Sequence, residues 1–309
     1  MKNTKKLLIV LLGILLLTGC TTQLKNKETD KAITIKETGQ VLTKNILCKP
    51  SEELNSHYTD NLEGKELEEF NKLPKCENFK VTSGGYEGIW TSIIVKPLAW
   101  LIIQLGKLVK NYGLGLILAS LLIRTVLFPL TQKTAMQSEL IKKAKPELDK
   151  LEKKYAGKND QASMMAKSRE MAMVYKKYNI KPVAGCLFAF LQIPLFIGFY
   201  EAINRVPAIF EGYLFGLQLG TTPLTGLTNG NIAYIILPLL VGVTTYFSLT
   251  LNSASNPDNK QMASMSKIMF VMITVMSLFV STALAFYWIT TSLFTIVQNL
   301  LVKNKKEME

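Results

Sequence analysis

Long apolar runs alternate with polar stretches along this chain, and the lengths of those runs predict its architecture. Tyr112 to Leu130 is nineteen residues with one charged side chain, Arg124, about long enough to cross a bilayer as a helix. Four further apolar segments follow, near Val183–Asn204, Asn231–Leu251, Lys267–Ser281 and Thr282–Val302, and the last two abut closely enough to predict a tight helical hairpin. The reading is five spans, over 111–131, 182–204, 231–251, 267–281 and 282–302. Ahead of them, Ile93, Ile94, Leu98, Leu101, Ile102, Leu105 and Leu108 recur at helical spacing while Lys96, Gln104, Lys107 and Lys110 interrupt. That pattern predicts an amphipathic helix over 89–110 lying in the membrane interface. The alternative, a further span, would bury Lys96 and Gln104.

The polar stretches carry their own signals. Lys2, Lys5 and Lys6 precede an apolar run from Leu7 to Leu17, a secretory leader by charge and length. It ends in Leu17-Thr18-Gly19-Cys20, which resembles the lipobox of bacterial lipoproteins. The resemblance implies a signal peptide over 1–19, cleavage before Cys20 and lipid attachment at its thiol; the other reading is an ordinary leader with a chance cysteine. Residues 20–88 are polar with little periodicity, apart from a short helix predicted near Glu63–Leu73. Cys48 and Cys76 in this segment form a disulfide or remain two separate thiols, and the segment's role stays open. Gln132–Ala156 and Asp160–Tyr178 are strongly helical, charged stretches joined by Gly157-Lys158-Asn159, so 132–181 reads as an antiparallel helical hairpin. Pro146 is expected to start a new helix or kink the first. The hairpin's Met136, Met164, Met165, Met171 and Met173 fit either its own seam or an adaptable partner surface.

Charge sets the orientation. Residues 132–181 hold thirteen Lys/Arg against six Asp/Glu, the connection 205–230 has one of each sign, and the tail 303–309 holds Lys303, Lys305 and Lys306. The positive-inside rule therefore places 132–181, the loop 252–266 and the tail in the cytoplasm, and the N-terminus outside. A net charge of +13 in a chain that is 48% hydrophobic fits a membrane protein whose lysines sit outside its spans. No Cys-x-x-Cys pair occurs, and His57 is the single histidine, so zinc and redox chemistry lack a ligand set. Phosphate-binding glycine loops and a Gly-x-Ser-x-Gly elbow are absent. The chain does not read as an enzyme, and it implies no cofactor, no metal and no small-molecule substrate.

Arg124 is the residue on which function turns. A charge at a helix centre costs roughly 2.5–3.5 kcal/mol on insertion scales. Eleven Leu, Ile, Val and Phe residues between Leu114 and Leu130, each contributing about 0.3–0.6 kcal/mol, carry it. Polar side chains form stripes on several spans: Ser120 and Thr131 with Arg124 on the first, Gln192 on the second, Thr244, Ser248 and Asn252 on the third, and Thr291, Thr295, Gln298 and Asn299 on the last. Any one of these hydroxyls ordinarily bonds its own backbone. Four stripes converging with one arginine predict a shared hydrophilic groove, lined by Arg124, Ser120, Gln192, Thr244, Thr291, Thr295 and Gln298 and opening toward the cytoplasm. No acidic residue lies in the central part of any span, and Glu201 is poorly placed to pair with Arg124. A positive, hydrated groove suits a transient anionic visitor. Met262, Met265, Met269, Met272 and Met276 make one flexible apolar face on the fourth span, for packing, for lipid or for incoming hydrophobic helices.

Several segments together resemble the YidC/Oxa family of membrane protein insertases, in its shorter Gram-positive form, over about residues 90–302. They are Asn111-Tyr112-Gly113-Leu114, Ile123-Arg124-Thr125-Val126-Leu127-Phe128-Pro129-Leu130, Lys145-Pro146-Glu147-Leu148 with Lys154-Tyr155, and Tyr175-Lys176-Lys177-Tyr178. Pro182-Val183-Ala184-Gly185-Cys186-Leu187, Leu191-Gln192-Ile193-Pro194-Leu195-Phe196, Phe286-Tyr287-Trp288 and Gln298 complete the set. The resemblance implies an all-α membrane protein of five spans around a groove open to cytoplasm and lipid. Arg124 then attracts polar parts of a nascent chain. Implied partners are nascent membrane proteins, the Sec translocon and membrane lipids, with any ribosome contact weak because the tail is short. Departures are Ser266-Lys267-Ile268 where the family often has proline, Ser292 where asparagine is common, and a 21–88 segment unlike the large domain of Gram-negative members. The rival readings are a small-solute transporter or channel, which calls for inverted repeats and paired intramembrane charges, and a scaffold lipoprotein working through 21–88.

Overall fold

The computed structural model describes residues 21–158, 160–181, 183–251 and 260–307. The leader, Cys20 and most of the 252–266 loop lie outside the described residues. The chain divides into two compact units, one of residues up to Ser120 with Pro194–Leu237 and Ser277–Tyr287, the other of Leu121–Ile193, Pro238–Met276 and the chain from Trp288.

The first unit begins with a small folded domain, where the sequence had shown only a polar stretch. Leu24, Leu42, Ile46, Tyr58, Leu62 and Phe70 form its core. Antiparallel bridges pair Gln23 with Thr43, Lys25 with Ala32 and Thr34 with Val41. Helices α1 (Glu52–Thr59) and α2 (Gly64–Asn71) cover them, with the Tyr58 and Phe70 rings stacked 5.2 Å apart. Tyr58 donates to Thr43 O at 3.1 Å, and burial, helped by the charge of Glu211, pushes its hydroxyl pKa up. Cys48 and Cys76 are joined in a disulfide.

A π-turn over Thr91–Val95 leads into α3 (Lys96–Leu108) and then α4 (Tyr112–Val126). These two helices touch backbone to backbone. A Cβ added at Gly115 would lie 2.5 Å from Gly106 N and 2.7 Å from Ile102 O, so no side chain fits there. Further along in this unit, α8 (Pro207–Phe210), the two-residue strands β1 (Tyr213–Leu214) and β2 (Leu217–Gln218), and α9 (Pro223–Thr228) make up the connection between the second and third apolar segments.

The second unit holds α5 (Phe128–Lys154) and α6 (Gln161–Lys177), which form the expected helical hairpin. Asp160 caps α6 by accepting from Ser163 N at 2.8 Å, and Gly157 makes the turn at φ +78°. The stretch 111–131, expected as the first span, contains a bend: α4 ends at Val126 and the chain turns 66° before α5 starts at Phe128. Pro129, which has no N–H to donate, sits in the first turn of α5, where no donor is needed. Pro146, by contrast, breaks nothing, and α5 runs through it. The carbonyl that loses its donor belongs to Lys142, an exposed residue.

The remaining helices are α7 (Val183–Arg205), α10 (Ile236–Leu251) after a 3-10 turn at Ile232–Ile235, α11 (Lys260–Met276) and α12 (Thr282–Glu307). Among the described residues, Thr91–Leu108, Ile232–Leu251 and Thr282–Val302 are each long and apolar enough to cross a membrane, and the bent α4–α5 pair makes a fourth where it is taken as one span. α11 is 17 residues long. Exposed Leu239, Leu240, Val243, Phe247, Val271, Met272 and Val275 suit a lipid environment. Fold and hydropathy together define a mostly helical membrane protein.

Candidate polar groove and a buried ion network

Arg124 lies in the last turn of α4, 5% exposed. A cation there faces the negative end of the helix dipole and its unpaired carbonyls, which offsets part of the cost of burial. Its Nη2 donates to Gln192 Oε1 at 2.7 Å, so the two polar side chains picked out on the first and second apolar segments do meet. Gln298 on α12 donates to Thr131 Oγ1 at 2.9 Å, making a second polar bridge inside the same unit. Thr131 belongs to α5 rather than to Arg124's helix, so the bend at Leu127 changes which helix presents it. Beside Gln298, buried Asn299 keeps an Nδ2 with no acceptor among the described residues.

The hydroxyls behave differently. Thr244 donates to Leu240 O at 2.7 Å, Thr291 to Trp288 O at 3.1 Å and Thr295 to Thr291 O at 2.9 Å, all within their own helices. Ser120 bonds Leu116 O at 2.7 Å and belongs to the first unit. These residues are buried, and they supply small size and weak polarity rather than cross-helix bonds.

A second polar centre was missed by sequence reasoning. Arg205, 1% exposed at the end of α7, donates through Nε to Asn45 O at 2.6 Å and through Nη1 to Thr91 Oγ1 at 3.4 Å, and its Nη2 pairs with Glu87. Glu201 stands one turn earlier, 3.9 Å from the same guanidinium, and accepts from Trp90 Nε1 at 2.9 Å. Lys96 is buried too, satisfied by Ser83 O and Gly85 O, both at 2.8 Å, and by Glu87 at 3.8 Å. The legible signal was the i, i+4 pair Glu201/Arg205 closing an apolar segment.

The hairpin carries two matching clamps. Lys177 and Tyr178 at the end of α6 hold Glu147 of α5, at 2.5 and 2.9 Å. Lys154 and Tyr155 at the end of α5 hold Glu170 of α6, at 2.6 and 2.9 Å. Hydrogen bonds from the lysines, then from the tyrosines, lower both glutamate pKa values. A lowered carboxylate stabilises the fold above its ordinary range and stops doing so as pH falls through the lowered value. Acidification below the usual glutamate range is therefore expected to loosen the hairpin. Spin labels at exposed Met136 and Met173 should show a broadened distance distribution at low pH, and Glu147→Gln with Glu170→Gln should show that breadth at neutral pH. An unchanged distribution in both experiments would refute the clamps.

A multi-span helical protein with a buried arginine bonded to a glutamine is the class these features define. Comparison with known proteins narrows it. The profile of the family described as 60Kd inner membrane protein matches residues 104–309. A Bacillus subtilis protein named membrane protein insertase MisCA is 37% identical over 216 residues, 69% of this chain and 79% of that protein. The membrane protein insertase YidC of Oceanobacillus iheyensis is 35% identical over 230 residues, 72% of this chain and 86% of its own length. A Listeria innocua protein named membrane protein insertase YidC 2 is 33% identical over 228 residues, 72% and 76% of the two chains. This chain belongs to the YidC/Oxa family, in its Gram-positive type.

Proposed function

We propose that this protein inserts nascent membrane proteins into the cell membrane, and that Arg124 receives the polar or acidic part of the incoming chain. The observation carrying this is the Arg124–Gln192 pair, a buried cation bonded to a half-buried amide in otherwise apolar helices. In this reading five helices span the bilayer, 89–110 lies in the interface, and 132–181 and the tail are cytoplasmic. Residues 20–88 then lie outside, anchored through lipid on Cys20. Arg124, Ser120, Gln192, Thr244, Thr291, Thr295 and Gln298 line one hydrated groove. The protein acts without covalent chemistry. The groove lowers the cost of bringing a short polar segment into the membrane, and burial of the substrate's apolar helix in lipid supplies the driving free energy. The Sec translocon is a partner, and ribosome contact through the short tail is weak.

Photocrosslinkers placed at Gln192, Thr295 and Gln298, with exposed Leu239 as control, test this against a stalled nascent membrane protein. Adducts from the three polar positions that exceed those from Leu239 are expected. Absence of adducts together with solute flux through proteoliposomes would favour the transporter reading instead.

A further inference from the structure

The domain of residues 21–88 is fastened to the connection between α7 and α10 at every stage of that connection. At its start, Leu47 N donates to Arg205 O at 2.8 Å, and the Arg205 side chain reaches Asn45 O and Glu87. Ser51 N then donates to both carboxylate oxygens of Glu211, at 3.1 and 3.2 Å. Thr222 N bonds Thr38 O at 3.2 Å, and Gly39, at φ +68°, sits so close over Thr225 that a Cβ would lie 2.2 Å from its hydroxyl. At the far end Asn229 Nδ2 donates to Glu37 O at 2.9 Å.

The same contacts reach helix ends. Arg205 closes α7, Lys107 in the last turn of α3 donates to Glu77 O at 3.0 Å, and Thr221 O accepts from both the N–H and the hydroxyl of Thr282 where α12 begins. One domain thus grips the ends of three helices, two directly and one through Thr221. Its disulfide ties the grips together. Cys48 stands between Leu47 and Ser51, which hold Arg205 and Glu211, and Cys76 adjoins Glu77, which holds Lys107.

We propose that residues 21–88 are a clamp that seals the extracytoplasmic end of the helices, so that a hydrated interior does not open to both sides of the membrane. Separating the end of α7 requires breaking the charge-assisted bonds of buried Arg205, and separating the start of α12 requires breaking both Thr282 bonds to Thr221 O. The clamp rests on the orientation proposed above; the contacts themselves do not.

The test uses an impermeant maleimide on Thr221→Cys, beneath residues 38–40, and on Ser120→Cys, two turns into α4, each in a full-length chain with Cys186→Ala. Both native residues are buried, 4% and 1% exposed. Neither cysteine should react from outside while the clamp is intact. Arg205→Met combined with Glu211→Ala should speed labelling of both by about tenfold or more, equivalent to one such bond. Cys48→Ser with Cys76→Ser loosens the clamp without touching those anchors and should act in the same direction, which guards against a misfolded first variant. Unchanged labelling in both variants, or reaction of Thr221→Cys without Ser120→Cys, would overturn the seal. Labelling that rises only when reagent enters from the cytoplasmic side would refute the orientation and with it the extracytoplasmic seal, leaving only the contacts of 21–88 with the connection.

Discussion

Arg124→Ala should lower insertion of substrates with acidic translocated tails by about tenfold or more, while substrates with neutral tails are affected far less. The magnitude follows from losing one charged hydrogen-bonding partner, roughly 1.5–3 kcal/mol, at about 1.4 kcal/mol per factor of ten. Arg124→Lys should fall in between. It keeps the charge at the carbonyl end of α4, but lacks the planar fork that lets guanidinium bond Gln192 and a carboxylate at once. Gln192→Leu should have a smaller effect, because the cation remains while its orientation loosens. The fold itself should tolerate the alanine, since the α4 segment is apolar enough to insert without any polar residue. Pulse-labelled insertion of a substrate series differing only in tail charge makes the measurement. Equal insertion of acidic and neutral tails by Arg124→Ala would remove Arg124 from its assigned role.

Replacing Cys48 and Cys76 by serine should destabilise the 21–88 domain by about 3–4 kcal/mol. That is the loop-closure value for a cross-link spanning 28 residues. A domain with a core of six buried residues has little reserve, so the loss represents a large share of its stability. Limited proteolysis of the full-length protein in detergent should then cut within residues 21–88 while the helical remainder resists. Equal resistance of the reduced and oxidised forms would show that the core and the loop contacts suffice without the bond.

What could be read from the chain follows the physics of each part. The helices were visible because apolar length and lysine placement are properties of contiguous sequence. Gln192 was visible as a lone amide in an apolar run, and the structure pairs it with Arg124. The hairpin was visible from its helical charge pattern and the Gly157 turn. The bend after Val126 was not, since Leu127-Phe128-Pro129-Leu130 is as apolar as the helix before it and hydropathy carries no sign of direction. The threonines were read as groove lining, whereas their hydroxyls turn to their own backbones, the ordinary outcome in a helix. The fold of 21–88 was hidden because Leu24, Leu42, Ile46, Tyr58, Leu62 and Phe70 come together through bridges and a disulfide rather than through any period. Arg205 was hidden for a related reason, since its partners Asn45, Glu87 and Thr91 are more than a hundred residues away.

The length of α11 has a consequence for the lipid itself. Its 17 residues, Lys260–Met276, reach about 25 Å at 1.5 Å per residue, short of the roughly 30 Å of a bilayer's hydrocarbon core. A hydrophobic segment that short is in mismatch with the membrane around it, and neighbouring acyl chains meet the mismatch by compressing. Lipid order beside Val271, Met272 and Val275 should then differ from order beside Leu239 and Val243 on α10. The same protein would then be bordered by lipid of two thicknesses, ordinary beside α10 and slightly thinned beside α11.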